Sequence, residues 1–247
     1  MKLKAIDLSE KRRRTGMEDR HTIAVPFGEH GLAFGGVYDG HGGPLIASMA
    51  CTKIPDLFRN ALERLAPIGA LRSAYYHLAK ETRDIKLKTG ACAANFFITE
   101  SEIFFANVGD CRIVVVGENL TQLTVDHRIT NKVECARVLK KGADLAPPYM
   151  RYGGRGIMIT RAFGDYDLKP GGHSDRPFVG VRKIERGDRF LVAATDGLFD
   201  KVDNNTVLDL SRRAQSAEDF LELLHTEVNL KDGGDNLTIV VVEFQHD

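Results

Sequence analysis

No two of the four cysteines, Cys51, Cys92, Cys111 and Cys135, have the C-x-x-C spacing of a zinc ribbon or a thioredoxin-like dithiol, so they are read as free, buried thiols. No arginine stands six residues after any of them either. Those positions hold Leu57, Ile98, Gly117 and Lys141, which removes the C-x5-R cysteine route to phosphoester hydrolysis. A G-x4-G-K-[S/T] loop that could cradle nucleotide phosphates is likewise missing. Net charge is absent: 34 Lys and Arg balance 34 Asp and Glu, and no basic stripe interleaved with aromatics is present, so nucleic acid is not an expected partner. An apolar N-terminal segment of the secretory kind is lacking, as is any uncharged apolar run near the ~18 residues of a membrane span. The expectation is a cytoplasmic monomer without membrane contact.

What is present is an ordinary globular composition, 43% hydrophobic and 28% charged over 247 residues, enough for one domain spanning 1–247. Apolar runs bounded by turn residues predict strands at Leu3 to Leu8, His21 to Val25, Leu32 to Tyr38, Ala93 to Thr99, Glu102 to Val108, Arg112 to Val116, Arg189 to Thr195 and Leu237 to Phe244. Three-to-four spacing of apolar residues predicts helices over Pro44 to Leu65, Gly69 to Lys88 and Ser216 to Val228, the last capped by Ser216. Clustered strands, then paired helices, then strands again argue for an α+β fold with antiparallel sheets and helices on the outer faces of a sandwich. The stretch from about 144 to 187, crowded with Gly and Pro, reads as a surface flap.

Four acids share one setting. Asp39, Asp110, Asp196 and Asp235 each stand at the end of a predicted strand with a glycine beside them, Gly40, Gly109, Gly197 and Gly234. Asp-Gly is a common turn pair, and for any one of the four a plain turn is the simpler account. Together they are harder to dismiss. Two carboxylates ~4 Å apart repel by about 4 kcal/mol at an effective dielectric of 20, so four converging strand ends need counter-charge. Oxygen donors without Cys select a hard divalent ion such as Mg²⁺ or Mn²⁺. Arg14 in Arg14-Thr-Gly-Met-Glu-Asp19 offers a fork for phosphate oxygens, and His41, between glycines, a proton donor.

Arg14-Thr-Gly-Met-Glu-Asp19, Val37-Tyr-Asp-Gly-His-Gly-Gly43, Ala106-Asn-Val-Gly-Asp-Cys-Arg112, Leu123-Thr-Val-Asp-His127, Thr160-Arg-Ala-Phe-Gly-Asp165, Ala194-Thr-Asp-Gly-Leu-Phe-Asp200 and Gly234-Asp-Asn-Leu-Thr238 resemble, in order, the motifs of the metal-dependent protein phosphatases of type 2C. The resemblance implies a four-layer αββα sandwich, two antiparallel sheets flanked by helices, with the metal centre at one end. It implies Asp39 as the carboxylate bridging two Mn²⁺ or Mg²⁺ ions and Gly40 as a carbonyl ligand. Glu18 would be a ligand directly or through water, and Asp196 and Asp235 would share one metal. Asp110 and Asp200 with Asp196 would hold a weaker third ion, Arg14 would bind phosphate, Asp19 would stand behind the ligands, and His41 would be the general acid. Two positions depart from the family pattern. Gly90-Ala-Cys-Ala93 replaces the usual Gly-Ser-Thr-Ala, and Asp126-His-Arg-Ile129 lacks the common proline after the basic residue.

The implied reaction is hydrolysis of phosphoserine or phosphothreonine in phosphorylated proteins, by a water or hydroxide bridging the metals, with no covalent enzyme intermediate. A silent scaffold of the same fold is the first alternative, against which the presence of Asp39, Asp196, Asp235, Glu18 and Arg14 speaks. A phosphoesterase for a small metabolite or nucleic acid is the second. His21, His77, His127, His173 and His225 are expected to be structural, as are Phe96, Phe97, Phe104 and Phe105 in the core, and Asp126 and Asp165 in turns or the flap.

Overall fold

The computed structural model describes residues 1–83, 85, 88–231 and 233–246. Its first sheet has the order β1 (Lys2–Glu10), β14 (Leu237–Gln245), β13 (Phe190–Ala194), β6 (Arg112–Val116) and β7 (Leu120–Gln122), every neighbouring pair antiparallel. The second has the order β12 (Phe178–Lys183), β5 (Glu102–Val108), β4 (Gly90–Ile98), β3 (Ala33–His41) and β2 (Arg20–Ala24), with the short β11 (Phe163–Gly164) also on β4. Helices α1 (Leu45–Leu62) and α2 (Pro67–Thr82) cover the second sheet, and α5 (Asn204–Arg213) and α6 (Ala217–Leu230) the first. This is the expected αββα sandwich.

The uninterrupted apolar runs follow from burial of both faces of each strand. In β14, Val240 and Val242 point between the sheets while Ile239 and Val241 point at the helices; in β13, Leu191 and Ala193 face inward and Val192 and Ala194 outward. Phe34 and Tyr38 of β3 pack under α1, whose apolar stripe is Ile46, Ala47, Ala50, Ile54 and Phe58, and Ala33 and Val37 face the other sheet. Phe96 and Phe105 fill the inter-sheet core, and Phe97 and Phe104 the helix side, so all four are packing residues.

Several elements differ from expectation. Phe178–Lys183, within the stretch read as flap, is the edge strand β12 of the second sheet. The flap has its own sheet, β8 (Asp144–Ala146), β9 (Tyr149–Tyr152) and β10 (Arg155–Ile157), and α3 (Lys132–Leu139) precedes it. Helix α4 (Asp196–Phe199) starts at an acid that ends the predicted strand, and α2 stops at Thr82 rather than Lys88, although Asp84, Lys86 and Leu87 lie outside the described residues. Of the thiols, Cys92 and Cys111 are buried, but Cys51 and Cys135 are only half-buried; all four are free.

Candidate metal centre and active site

Antiparallel pairing brings chain-distant turns to one end of the sandwich. Asp39 comes at the end of β3, opposite Cys92 of β4; Asp110 sits in the turn from β5 to β6; Asp196 opens α4 after β13; Asp235 stands just before β14. With Arg14, Glu18, Gly40 and His41 they line one cavity of about 460 Å³, and Tyr149, Arg155, Ile157 and Met158 form its flap side. Gly40 is required there, because a Cβ would lie 2.6 Å from the Glu18 carbonyl oxygen. Gly109 holds the Asp110 turn at φ 89°, and its carbonyl accepts both the backbone N–H and Nδ1 of His127, at 3.0 Å each.

Carboxylate oxygens of Asp39, Asp110 and Asp196 lie within 4.8 Å of one another. Burial first, and then the mutual charge of the acids, pushes Asp39 and Asp196 well above the usual carboxylate range. Three oxygen donors of one sign gathered in one pocket form a set that suits a hard divalent cation. Asp235 and Glu18 share the cavity, whereas Asp200 closes α4 on an adjoining recess with Asp196 and Asp235. Asp19 is buried behind the acids and accepts from Thr195 Oγ1 at 2.9 Å; burial pushes it up to about 6, against the hydrogen bonds from Thr195 and Thr238.

Arg14 reaches Asp235 Oδ2 at 2.5 Å from an exposed position at the cavity mouth. The loop that carries Arg14 and Glu18 is tied down by Asn236, which has no role in the sequence reading above. Asn236 accepts from the Glu18 N–H at 2.8 Å and donates to the Lys11 and Gly16 carbonyls at 2.8 and 3.1 Å. Its signal in the sequence was its place in the motif Gly234-Asp-Asn-Leu-Thr238.

Asp165 is tied to the flap, in keeping with the expectation, and also holds His41, which the sequence reading did not foresee. Fully buried, it bonds His41 Nε2 through Oδ2 at 2.6 Å and Arg155 Nη2 through Oδ1 at 2.6 Å, and so links the predicted proton donor to the flap. Burial opposes its ionisation, but the hydrogen bond and charge of His41, with Arg155, bring it down to about 2. Asp126 is structural, gripping Arg112 at 3.2 Å, and so are the contacts of His21 with Asp7 and His225 with Glu10. Burial lowers His127 to about 4 and pushes His173 well below the usual range, so both rings are neutral.

The depressed Asp165 carboxyl implies a pH-dependent contribution to stability. A folded value below the unfolded one stabilises fully above the unfolded value of 3.8 and is lost as pH falls through about 2. The stability gap between wild type and Asp165→Asn is therefore expected at roughly 2–3 kcal/mol near pH 7 and should close between pH 4 and pH 2. Urea unfolding across that range checks it, and a gap that is flat with pH refutes it.

Most of the chain matches known proteins. A probable protein phosphatase 2C of Arabidopsis thaliana is 33% identical over 211 residues, covering 81% of this chain and 54% of that protein. Another from Oryza sativa is 28% identical over 250 residues, covering 95% of this chain and 63% of the relative. The chain thus spans between about half and two thirds of the length of these curated relatives. The crystal structure of a serine-threonine phosphatase 2C from Toxoplasma gondii shares the fold at a TM-score of 0.84 and 22% identity, over 98% of this chain and 95% of that one. The family model described as Protein phosphatase 2C matches residues 7–230, from β1 through α6. Because that match takes in both layers of helices and every acid of the cavity except Asp235, the chain belongs to the protein phosphatase 2C family.

Proposed function

We propose that the protein hydrolyses phosphoserine and phosphothreonine esters in protein substrates, using Mn²⁺ or Mg²⁺ held by Asp39, Asp196 and Asp235 with Glu18 and the Gly40 carbonyl. The observation that carries this reading is the convergence of Asp39, Asp110 and Asp196 within 4.8 Å in a cavity that also presents Arg14 and His41. Ions held there by these residues would supply an acidified water as nucleophile and would draw off charge from the phosphoryl oxygens. The chain's own residues supply the rest. Arg14 moves from Asp235 to fork two phosphoryl oxygens once the acids are neutralised, its exposure leaving it free to do so. Asp165 fixes the His41 ring through Nε2, which leaves Nδ1 to carry a proton to the departing seryl or threonyl oxygen. Asp19 braces the acids through Thr195 and Thr238 at the strand ends.

Tyr149, Arg155 and Ile157 place the flap over the cavity, so it contacts the peptide on either side of the phosphorylated residue. Among the described residues no helix is long and apolar enough to cross a membrane. A protein acting alone as a monomer on soluble phosphoproteins of the cytoplasm is the simplest setting for this reading. Phosphate release from a phosphothreonine peptide is expected to require Mn²⁺ or Mg²⁺ and to stop with EDTA. Metal-independent release of equal rate overturns the proposal.

A further inference from the structure

We propose that Arg128 is a cation built into the chain where the family resemblance puts a third, weakly held ion, so that this protein takes up two divalent ions and not three. The inference rests on the metal-dependent reading above. One guanidinium meets all three acids expected at that position: Nε lies 2.6 Å from Asp110 Oδ2, Nη1 2.7 Å from Asp200 Oδ1, and Nη2 3.3 Å from Asp196 Oδ2. Each of its three nitrogens is directed to a different carboxylate. A lysine ammonium, as a point donor, could not span the same three partners with this fixed geometry.

The backbone around Arg128 is held on both sides. His127 is fixed to Gly109, beside Asp110, through its ring and its N–H, while the Thr160 N–H donates to the His127 carbonyl at 2.7 Å. Arg128 itself pairs in a bridge with Ile159 at the root of the flap. Its side chain is about one-fifth exposed and Asp110 only 4%. A tethered cation in this position needs no binding equilibrium to neutralise Asp110 and Asp200. A free divalent ion entering the same acids must either expel the guanidinium or sit against its positive charge. The weakest of its three contacts is the one to Asp196, the acid shared with the two-ion site, so Asp196 can ligate there while Asp110 and Asp200 stay paired.

The test counts ions. The full chain is stripped with EDTA and dialysed to equilibrium against Mn²⁺ from micromolar to millimolar concentration; bound metal is then measured per chain for wild type, Arg128→Gln and Arg128→Lys. Wild type is expected to level off at two. Arg128→Gln should rise to three, the added ion binding at least about tenfold more tightly than any further ion binds wild type, since like-charge repulsion at the site has been removed. Arg128→Lys, which keeps the charge, should resist the third ion more than Arg128→Gln does. A wild type that binds three ions overturns the proposal while leaving the phosphatase reading intact, and so does an Arg128→Gln protein that stops at two. Failure of wild type to bind any Mn²⁺ overturns both. If Arg128→Gln does not fold, the wild-type plateau and Arg128→Lys still decide.

Discussion

Asp39→Asn is expected to lower phosphatase activity by at least about three decades and, at the same time, to make the EDTA-stripped protein more stable than wild type. Both effects come from one charge. Loss of several kcal/mol of electrophilic stabilisation costs about tenfold in rate for every 1.4 kcal/mol. In the stripped protein the balance is opposite, because half-buried Asp39 loses solvent and stands against Asp196 and Asp19, which together hold it well above its usual pKa. The amide keeps the shape and removes the repulsion. A gain of about 1–2 kcal/mol would raise Tm by roughly 2–8 °C in a chain of this size. Saturating Mn²⁺ should then reverse the order, since an ion at 100 times its Kd adds about 2.7 kcal/mol to a protein that binds it and little to one that does not. Thermal unfolding of both proteins with EDTA and with Mn²⁺ reads this directly. A folded Asp39→Asn protein with full activity, or one less stable than wild type in EDTA, would remove Asp39 from the metal centre.

Charged clusters of this kind are legible in sequence because antiparallel strands must end in turns, and Asp with Gly at an apolar run's end is both a turn signal and a ligand. Asp39, Asp110, Asp196 and Asp235 were visible in that way, and the sandwich puts all four in one cavity. Arg128 and Asp165 were not. Their partners lie far along the chain, Asp110 and Asp196 for one and His41 for the other, and nothing local to either residue marks the pairing. Asp165 also has φ 50°, a left-handed backbone that a turn reading explains without function.

Short elements escaped for a different reason. β7 and β10 have three residues each, too few for any period, and α5 offers only Val207 and Leu210 with Ser211 as its buried face. The start of α3 could have been found. Asn131 accepts from the Val133 and Glu134 N–H groups, and an Asn followed three residues on by Glu is a helix-start signal. β12 reads as flap because it is an edge strand with Arg182 and Lys183 at its end and Gly180 against the Phe105 ring, where a Cβ would sit 2.3 Å from the nearest carbon. The Glu134 cluster is also a product of folding alone. Arg137 and Arg161 both grip that buried carboxylate, and Thr160 donates to it at 2.7 Å, anchoring α3 to the segment that joins β10 to β11.

His41→Ala should separate substrates by their leaving groups. Removing a general acid costs about 10²–10⁴ in rate where the departing oxygen needs its proton in the transition state, as a seryl or threonyl alkoxide does. p-Nitrophenolate leaves without one, so p-nitrophenyl phosphate should lose only a few-fold. Asp165→Asn is expected to show the same selectivity at smaller amplitude, because the ring remains but the charge that strengthens its 2.6 Å bond through Nε2 is gone. The buried carboxylate is held to about 2, so it stays ionised through the working range and the effect should not vanish between pH 6 and pH 8. Arg155, bonded to the other oxygen of Asp165 and lining the cavity from the flap, extends the same chain of contacts to the substrate side. Initial rates of the three proteins on a phosphothreonine peptide and on p-nitrophenyl phosphate decide the matter. Equal losses on both substrates would make His41 a binding or structural group and leave the leaving oxygen to be protonated by water.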